Sequence, residues 1–424
     1  SVGALRERAN ALALADRVSR SGDPAITLAL CDSLLTLQDY VSLLHYCRTS
    51  ECLNSRDLKS DNDYFKIAAG YDSGALSPIT ACAQLQTLLR VAPRVFSHRQ
   101  AAQVLLVRVS DKAGDHSLAI AVARAMRHDD RPRPISYKSL FATAFVFSKY
   151  YWARRAVDAF REGLLGAQRA RDYDYEQMCR EGLGISLKQV GKLRESLEQY
   201  QYSLALARRL LKPQAEAMCL QNVAVTEMSL GNFQKAAARL EEAARFDALS
   251  PGWPLRVYRL YNRAILHLLE GDAARARDGF QESRDVALRS GLTHVAMESC
   301  GGIALAAQRL GAPALLQTAV KELEELAATA GRLHYNWVAT AAKAWNTLLL
   351  ENEAAGAVAL LQAEAHRLER RDVLHWLSLE LELLRLRETV QGAPDPDLRK
   401  RLLTACREHG ARGIELAAIH ALER

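Results

Sequence analysis

The chain has 424 residues, 49% of them hydrophobic and 25% charged, with a formal net charge of +7. No apolar run reaches the ~18 residues of a membrane span, and the N-terminus carries no basic, apolar and small-residue signal pattern, so a cytoplasmic protein without a membrane anchor is expected. Only 11 prolines, with abundant Ala, Leu, Arg and Glu, argue against a strand-rich fold and predict an almost wholly helical one.

Taken in chain order, residues 4–35 read as a helix pair turning at Gly22-Asp23-Pro24, with Pro in the first turn where its missing N–H is harmless. A short apolar helix follows from Tyr40 to Tyr46, then a polar loop from Thr49 to Asp63, closing an N-terminal region of 4–63. Helix pairs resume around Gly74 and Gly114 in a degenerate region of 64–128. The segment Asp129-Asp130-Arg131-Pro132-Arg133-Pro134 is a proline-stiffened connection. Residues 135–365 carry a regular repeat, and 366–424 hold a long helix from Asp372 to Val390 and capping helices after Pro396. The four regions are expected to form one continuous solenoid.

The repeat is most legible between Cys179 and Ala244. Gly184, Gly191, Ser196, Tyr200 and Ser203 recur 40 residues later as Ala224, Gly231, Ala236, Leu240 and Ala243. The register continues through Ala264, Gly271, Ala276, Phe280 and Ser283, then Ala304, Gly311, Leu316, Val320 and Leu323, then Ala344, Glu351, Gly356, Leu360 and Ala363. Backwards it reaches Ala144, Tyr151, Ala156, Phe160 and Gly163. Small columns let helix backbones approach, a large apolar column fills the space between repeats, and the glycine column supplies the turn. Such a period marks a helical solenoid in which each unit packs on its neighbours.

This order of small residue, Gly, Ala, aromatic and Ala resembles the tetratricopeptide repeats, in a lengthened variety with 40 residues per unit. Two features depart from the family pattern: no Trp opens the first helix, where Arg180 and Leu220 stand, and no Pro closes each repeat at a constant place. The resemblance implies an all-α, right-handed superhelix of antiparallel helix pairs, similar to the sensor arms of maltose-regulon-type bacterial activators and of peptide-pheromone receptors. It also implies that the first helix of each pair lines a concave groove. Groove positions carried over on that basis are Phe141, Phe145, Ile185, Lys188, Gln221, Asn222, Val225, Tyr258, Tyr261, Asn262 and Trp345. An amide offers a donor and an acceptor together and so matches a peptide backbone; the alternative is that Asn222 and Asn262 bond locally within the scaffold.

No phosphate loop, zinc-protease or nucleophile-elbow motif is present, and the histidines lack acidic or Cys partners at ligand spacing, so no enzyme, cofactor or metal is expected. The eight cysteines are scattered and read as buried small residues; Cys179 and Cys219 stand one period apart. Charge is uneven: residues 131–215 carry 16 Lys and Arg against 8 Asp and Glu, while residues 216–360 carry 14 against 16. An acidic partner near 131–215 is therefore one expectation, a solvated helical face the other. Aromatics are not interleaved with the basic residues, so nucleic acid is not expected to contact this region, whereas self-association stays open. The functional expectation is a non-catalytic scaffold for a protein or peptide segment, the sensing arm of a regulatory protein. The alternatives are an assembly platform or spacer and, less favoured, the regulatory half of a larger enzyme. Because the chain opens at Ser1 without Met, an excised piece of a longer protein or a processed form is also expected.

Overall fold

The structure is a computed structural model that describes residues 23–36, 39–93, 96–113, 115–129, 135–149, 152–247, 255–330 and 337–420. The expected turn at Gly22, the turn at Gly114, the connection through 130–134 and Tyr151 lie outside the described residues. Among the described residues there are 21 α-helices and no strand. They are α1 (Pro24–Thr36), α2 (Tyr40–Thr49), α3 (Lys59–Asp72), α4 (Pro78–Val91), α5 (Arg99–Lys112), α6 (His116–Asp129), α7 (Tyr137–Lys149), α8 (Ala153–Ala170), α9 (Tyr173–Gln189), α10 (Leu193–Arg209) and α11 (Pro213–Ser229). There follow α12 (Phe233–Ala244), α13 (Leu255–Glu270), α14 (Ala273–Arg289), α15 (Thr293–Arg309), α16 (Pro313–Ala330), α17 (Trp337–Leu349), α18 (Ala354–Leu368), α19 (Val373–Gln391), α20 (Pro396–Glu408) and α21 (Arg412–His420).

The columns of the repeat account for the packing. Ala144, Ala224, Ala264, Ala304 and Ala344 are fully buried, and so is the large column at Phe160, Tyr200, Leu240, Phe280 and Val320. Turns within pairs place Gly191, Gly231, Gly271 and Gly311 at φ of 80, 79, 83 and 65°, a conformation that costs glycine nothing. Turns between pairs use the same left-handed geometry at Arg171 and Leu211, both at φ 54°, and at Gly291, so the second turn also recurs on the 40-residue step. Helix starts are capped locally: Ser77 and Asp395 each precede a proline and accept the backbone N–H of Thr80 and Leu398, and Asp372 accepts that of His375.

Two expectations about elements are corrected. The loop expected up to Asp63 ends earlier, because α3 begins at Lys59, with Asn62 buried and its amide donating to the Cys47 carbonyl and to Asn54. The register after Ala344 slips by one residue: Asn352 takes the left-handed turn at φ 55°, Ala357 and Leu361 are buried, and Leu360 is exposed. Asn tolerates this conformation well enough to replace the glycine, which lets the turn lengthen without breaking the stack. Seven of the eight cysteines are buried, as small packing residues should be.

By contact the chain divides into two compact units. The first comprises Ser1–Leu183, Gln199–Glu216 and Leu249–Trp253; the second comprises Gly184–Glu198, Ala217–Ala248 and Pro254–Arg424. Helices α9, α10 and α11 contribute residues to both. Within the second unit the chain returns on itself. A Cβ added at Gly413 of α21 would stand 2.0 Å from the Met228 carbonyl oxygen of α11, and one at Gly191 would meet His409 and Val373. The last helix is therefore seated backbone against backbone on a helix almost 200 residues earlier.

Candidate functional site

In the second unit the expected groove residues divide into a covered and a half-exposed set. Trp345 is fully buried and its indole Nε1 donates to Glu382 Oε2 at 3.0 Å. Glu382, on α19, also accepts from Arg309 at 3.2 Å and Arg385 at 2.8 Å. Burial pushes this carboxyl up, yet the two guanidiniums and the indole outweigh burial and hold it below the usual carboxylate range. Arg309 also donates to the Leu268 carbonyl at 2.6 Å, so α13, α15, α17 and α19 are tied around one buried charge network. Lys188 is half-buried; burial lowers its pKa, opposed by the charge of Asp372 at the start of α19. Gln221 is buried and donates to the Leu255 carbonyl at 3.0 Å. The expectation of Trp345 and Gln221 as ligand-contacting side chains is thus corrected: both are enclosed and bonded within the scaffold.

The remaining positions of this unit, Ile185, Asn222, Val225, Tyr258, Tyr261 and Asn262, are half-exposed. Tyr258 and Tyr261 flank one apolar cluster with Val257, Ala287, Val295 and Ala296, and the Tyr258 hydroxyl lies 2.9 Å from His294 Nε2. Val225 and Ile265 flank a second cluster with Ala224, Met228 and Leu266. The column of Asn222 and Asn262 contains Gly182 and Gly302, where an added Cβ would run into Phe160 and Phe280 respectively. Side chains in that column therefore start toward the large residue of the preceding helix. A cleft of about 440 Å³ lies between α12 and α13, lined by Ala237, Glu241, Arg263 and His267, and contains none of the expected residues.

In the first unit Phe141 is buried and Phe145 half-exposed, with ring centroids 6.3 Å apart. The expectation of Phe141 as a direct groove contact is corrected to a packing role, because its ring is enclosed against Phe160 at 5.8 Å and Tyr175 at 5.8 Å. Lys138 Nζ stands 5.3 Å from the Tyr175 ring centroid, a cation–π distance, and Lys149 pairs with Asp111 at 3.4 Å.

Beyond these residues the first unit holds a group that the regular repeat did not suggest. Arg108 on α5 acts electrostatically on Tyr40, Tyr64, Asp72, Tyr175 and Glu181, which come from α2, α3 and α9. Burial is the main cause that pushes up Asp72, Glu181 and the three tyrosine hydroxyls, so the tyrosines stay neutral donors. Lys212 pairs with Asp174 at 2.7 Å beside them. The signal existed in the sequence: stepping back seven residues from Gly114 and Gly74 puts Val107 and Ile67 in the small column, and Arg108 and Tyr64 then fall on groove positions.

Among the described residues no helix is long and apolar enough to cross a membrane. No protein-family model matches the chain, and no curated protein matches it in sequence. Solved structures do. A Rap protein complexed with Competence and Sporulation Factor is 14% identical, with a TM-score of 0.57 over 91% of this chain and 99% of that one. The apo quorum sensor NprR from B. thuringiensis is 12% identical, with a TM-score of 0.52 over 84% of this chain and 99% of that one. A signal transduction ATPase with a tetratricopeptide repeat sensor from Pyrococcus horikoshii is 14% identical, with a TM-score of 0.50 over 87% of this chain but only 55% of that one. Helix pairs on a 40-residue step, small and large columns in their places and this set of similar structures together make the fold that of the tetratricopeptide-repeat solenoids.

Proposed function

We propose that the chain is a non-catalytic scaffold that binds a peptide or an extended protein segment, as the sensing arm of a regulatory protein. The observation that carries this reading is the row of half-exposed aromatic, amide and aliphatic side chains repeated on successive first helices: Ile185, Asn222, Val225, Tyr258, Tyr261 and Asn262. Apolar area with interspersed amides suits a peptide, whose backbone needs donors and acceptors and whose side chains need contact area. The Rap protein complexed with Competence and Sporulation Factor and the quorum sensor NprR add weight by analogy of fold. An acidic segment would suit the basic excess at 131–215.

The enclosure of Trp345, Gln221 and Glu382 favours a second reading for the C-terminal half, an assembly platform whose interior is filled by its own helices. One experiment separates the two. A pool of random octapeptides is passed over the immobilised full chain, and the retained peptides are titrated against the wild type and an Asn262→Ala, Tyr258→Ala variant. The scaffold reading expects a retained subset and an affinity loss of about tenfold or more in the variant, since each lost hydrogen bond is worth roughly 0.5 to 1.5 kcal/mol. Retention of no peptide above a blank column sinks it.

A further inference from the structure

We propose that the cleft between α12 and α13 is a binding site for a free α-amino acid with an apolar side chain, independent of the peptide-binding reading above. Both walls depart from the repeat here. On α13, the buried Arg259 stands in a small column held elsewhere by Cys179, Cys219, Ser299 and Ala339, and Arg263 stands where Leu183, Val223 and Ile303 are buried. On α12, Ala237 and Ala238 replace Leu197-Glu198, Arg277-Asp278 and Gln317-Thr318 of the other pairs. An arginine in a column of small residues keeps two helices apart, and two alanines leave the gap unfilled. The opening of about 440 Å³ falls within the roughly 300–1,000 Å³ common for small-molecule sites. Its α13 residues 259, 263, 266 and 270 follow a helical spacing that sets them on a different face from Tyr258, Tyr261 and Ile265.

The chemistry of the lining selects the ligand. Leu240 and Leu266, both buried, join the two alanines in an apolar surface. Most of the charge around it is already matched: Arg259 pairs with Asp247, and His267 Nδ1 lies 3.4 Å from Glu270 Oε2. Glu241 on α12 and Arg263 on α13 are the exceptions. Both are exposed, and among the described residues neither has a hydrogen bond or an ion pair, with the other included. Glu241 is also an acid in a column that elsewhere holds Arg161, Gln201, Gln281 and Lys321. An open carboxylate on one wall and an open guanidinium on the other, beside apolar surface, complement a molecule with an ammonium, a carboxylate and an apolar side chain. A ligand of one sign only would bring its charge up to a lining charge of the same sign.

The test titrates the full chain calorimetrically with leucine and phenylalanine, and with the amine and the acid that each becomes on losing its carboxylate or its ammonium. At least one amino acid is expected to bind about tenfold more tightly than either of its singly charged counterparts. Glu241→Gln should weaken that binding about tenfold and bring it near the level of the acid, and Arg263→Met should do the same toward the amine. If neither amino acid binds, if an amine or acid binds as tightly as its parent, or if both variants bind as the wild type does, the proposal is wrong. Should a variant lose helicity, hydrogen exchange of the wild type locates the site instead. The amino acid should slow exchange over 233–244 and 255–270, and unchanged exchange there overturns the assignment.

Discussion

At the scale of single residues, His98 shows how buried ionisable groups are tolerated here. Burial alone would lower its pKa, but hydrogen bonds to Asp32 and Asp61 outweigh that and raise it from 6.5 to about 9. A pKa raised in the folded state contributes stability that is fully present below the unfolded value and is lost as pH rises through the folded one. The first unit should therefore lose on the order of 2 kcal/mol between pH 6.5 and about 9. Urea melts of the wild type and His98→Gln across that window test this: the variant should be weaker at pH 6.5 and its stability nearly flat with pH. A wild type equally stable at both ends would mean that the histidine is not charged in the fold.

At the scale of helices, the tightest approach described depends on a missing side chain. The seat of α21 depends on Gly413, whose Cα faces the Met228 carbonyl so closely that even one methyl group has no room. Backbone cannot yield as a flexible side chain can, so Gly413→Ala should shift α21 outward and cost roughly 1–3 kcal/mol. Gly356→Ala is a fair control: like Gly413 it lies inside a helix, but an added Cβ there would meet no backbone, its nearest neighbour being the Glu353 side chain at 3.2 Å. Hydrogen exchange over 412–420 should accelerate in Gly413→Ala far more than in the control. Similar protection in both would show that the close approach does not hold the helix.

For the whole molecule the net charge of +7 conceals a basic excess confined to residues 131–215. Part of that charge is already engaged, as Lys149 with Asp111 and Lys212 with Asp174. Lys138, over the Tyr175 ring of the first unit, is better placed to attract an acidic ligand. Reversing it to Glu should weaken binding of an Asp- and Glu-containing octapeptide pool several-fold at 20 mM salt and by much less at 0.5 M, because screening contracts the range of attraction to a few ångströms. A loss independent of salt would point to disturbed packing instead.

Periodicity by itself determined the helices, the turns and the buried columns, because a 40-residue step of small, large and glycine positions has one physical solution, helix pairs stacked on their neighbours. It also made Tyr258, Tyr261 and Asn262 legible as partly exposed, since they lie off the buried columns. The fates of Trp345, Gln221 and Phe141 were decided by tertiary structure. Each occupies a groove position in the repeat, but each is enclosed by a group of the next repeat that belongs to none of the recurring columns: Glu382 on α19, the Leu255 carbonyl of α13, and Tyr175 on α9. Arg108 falls between the two cases. Its column could be read by extending the register backwards, whereas the carboxyls on which its charge acts, Asp72 and Glu181, come from helices that the register does not bring beside it. A repeat specifies the recurring columns; the groups between the columns, and contacts such as that of Gly413 with the Met228 carbonyl across many repeats, are brought together only by the folded chain.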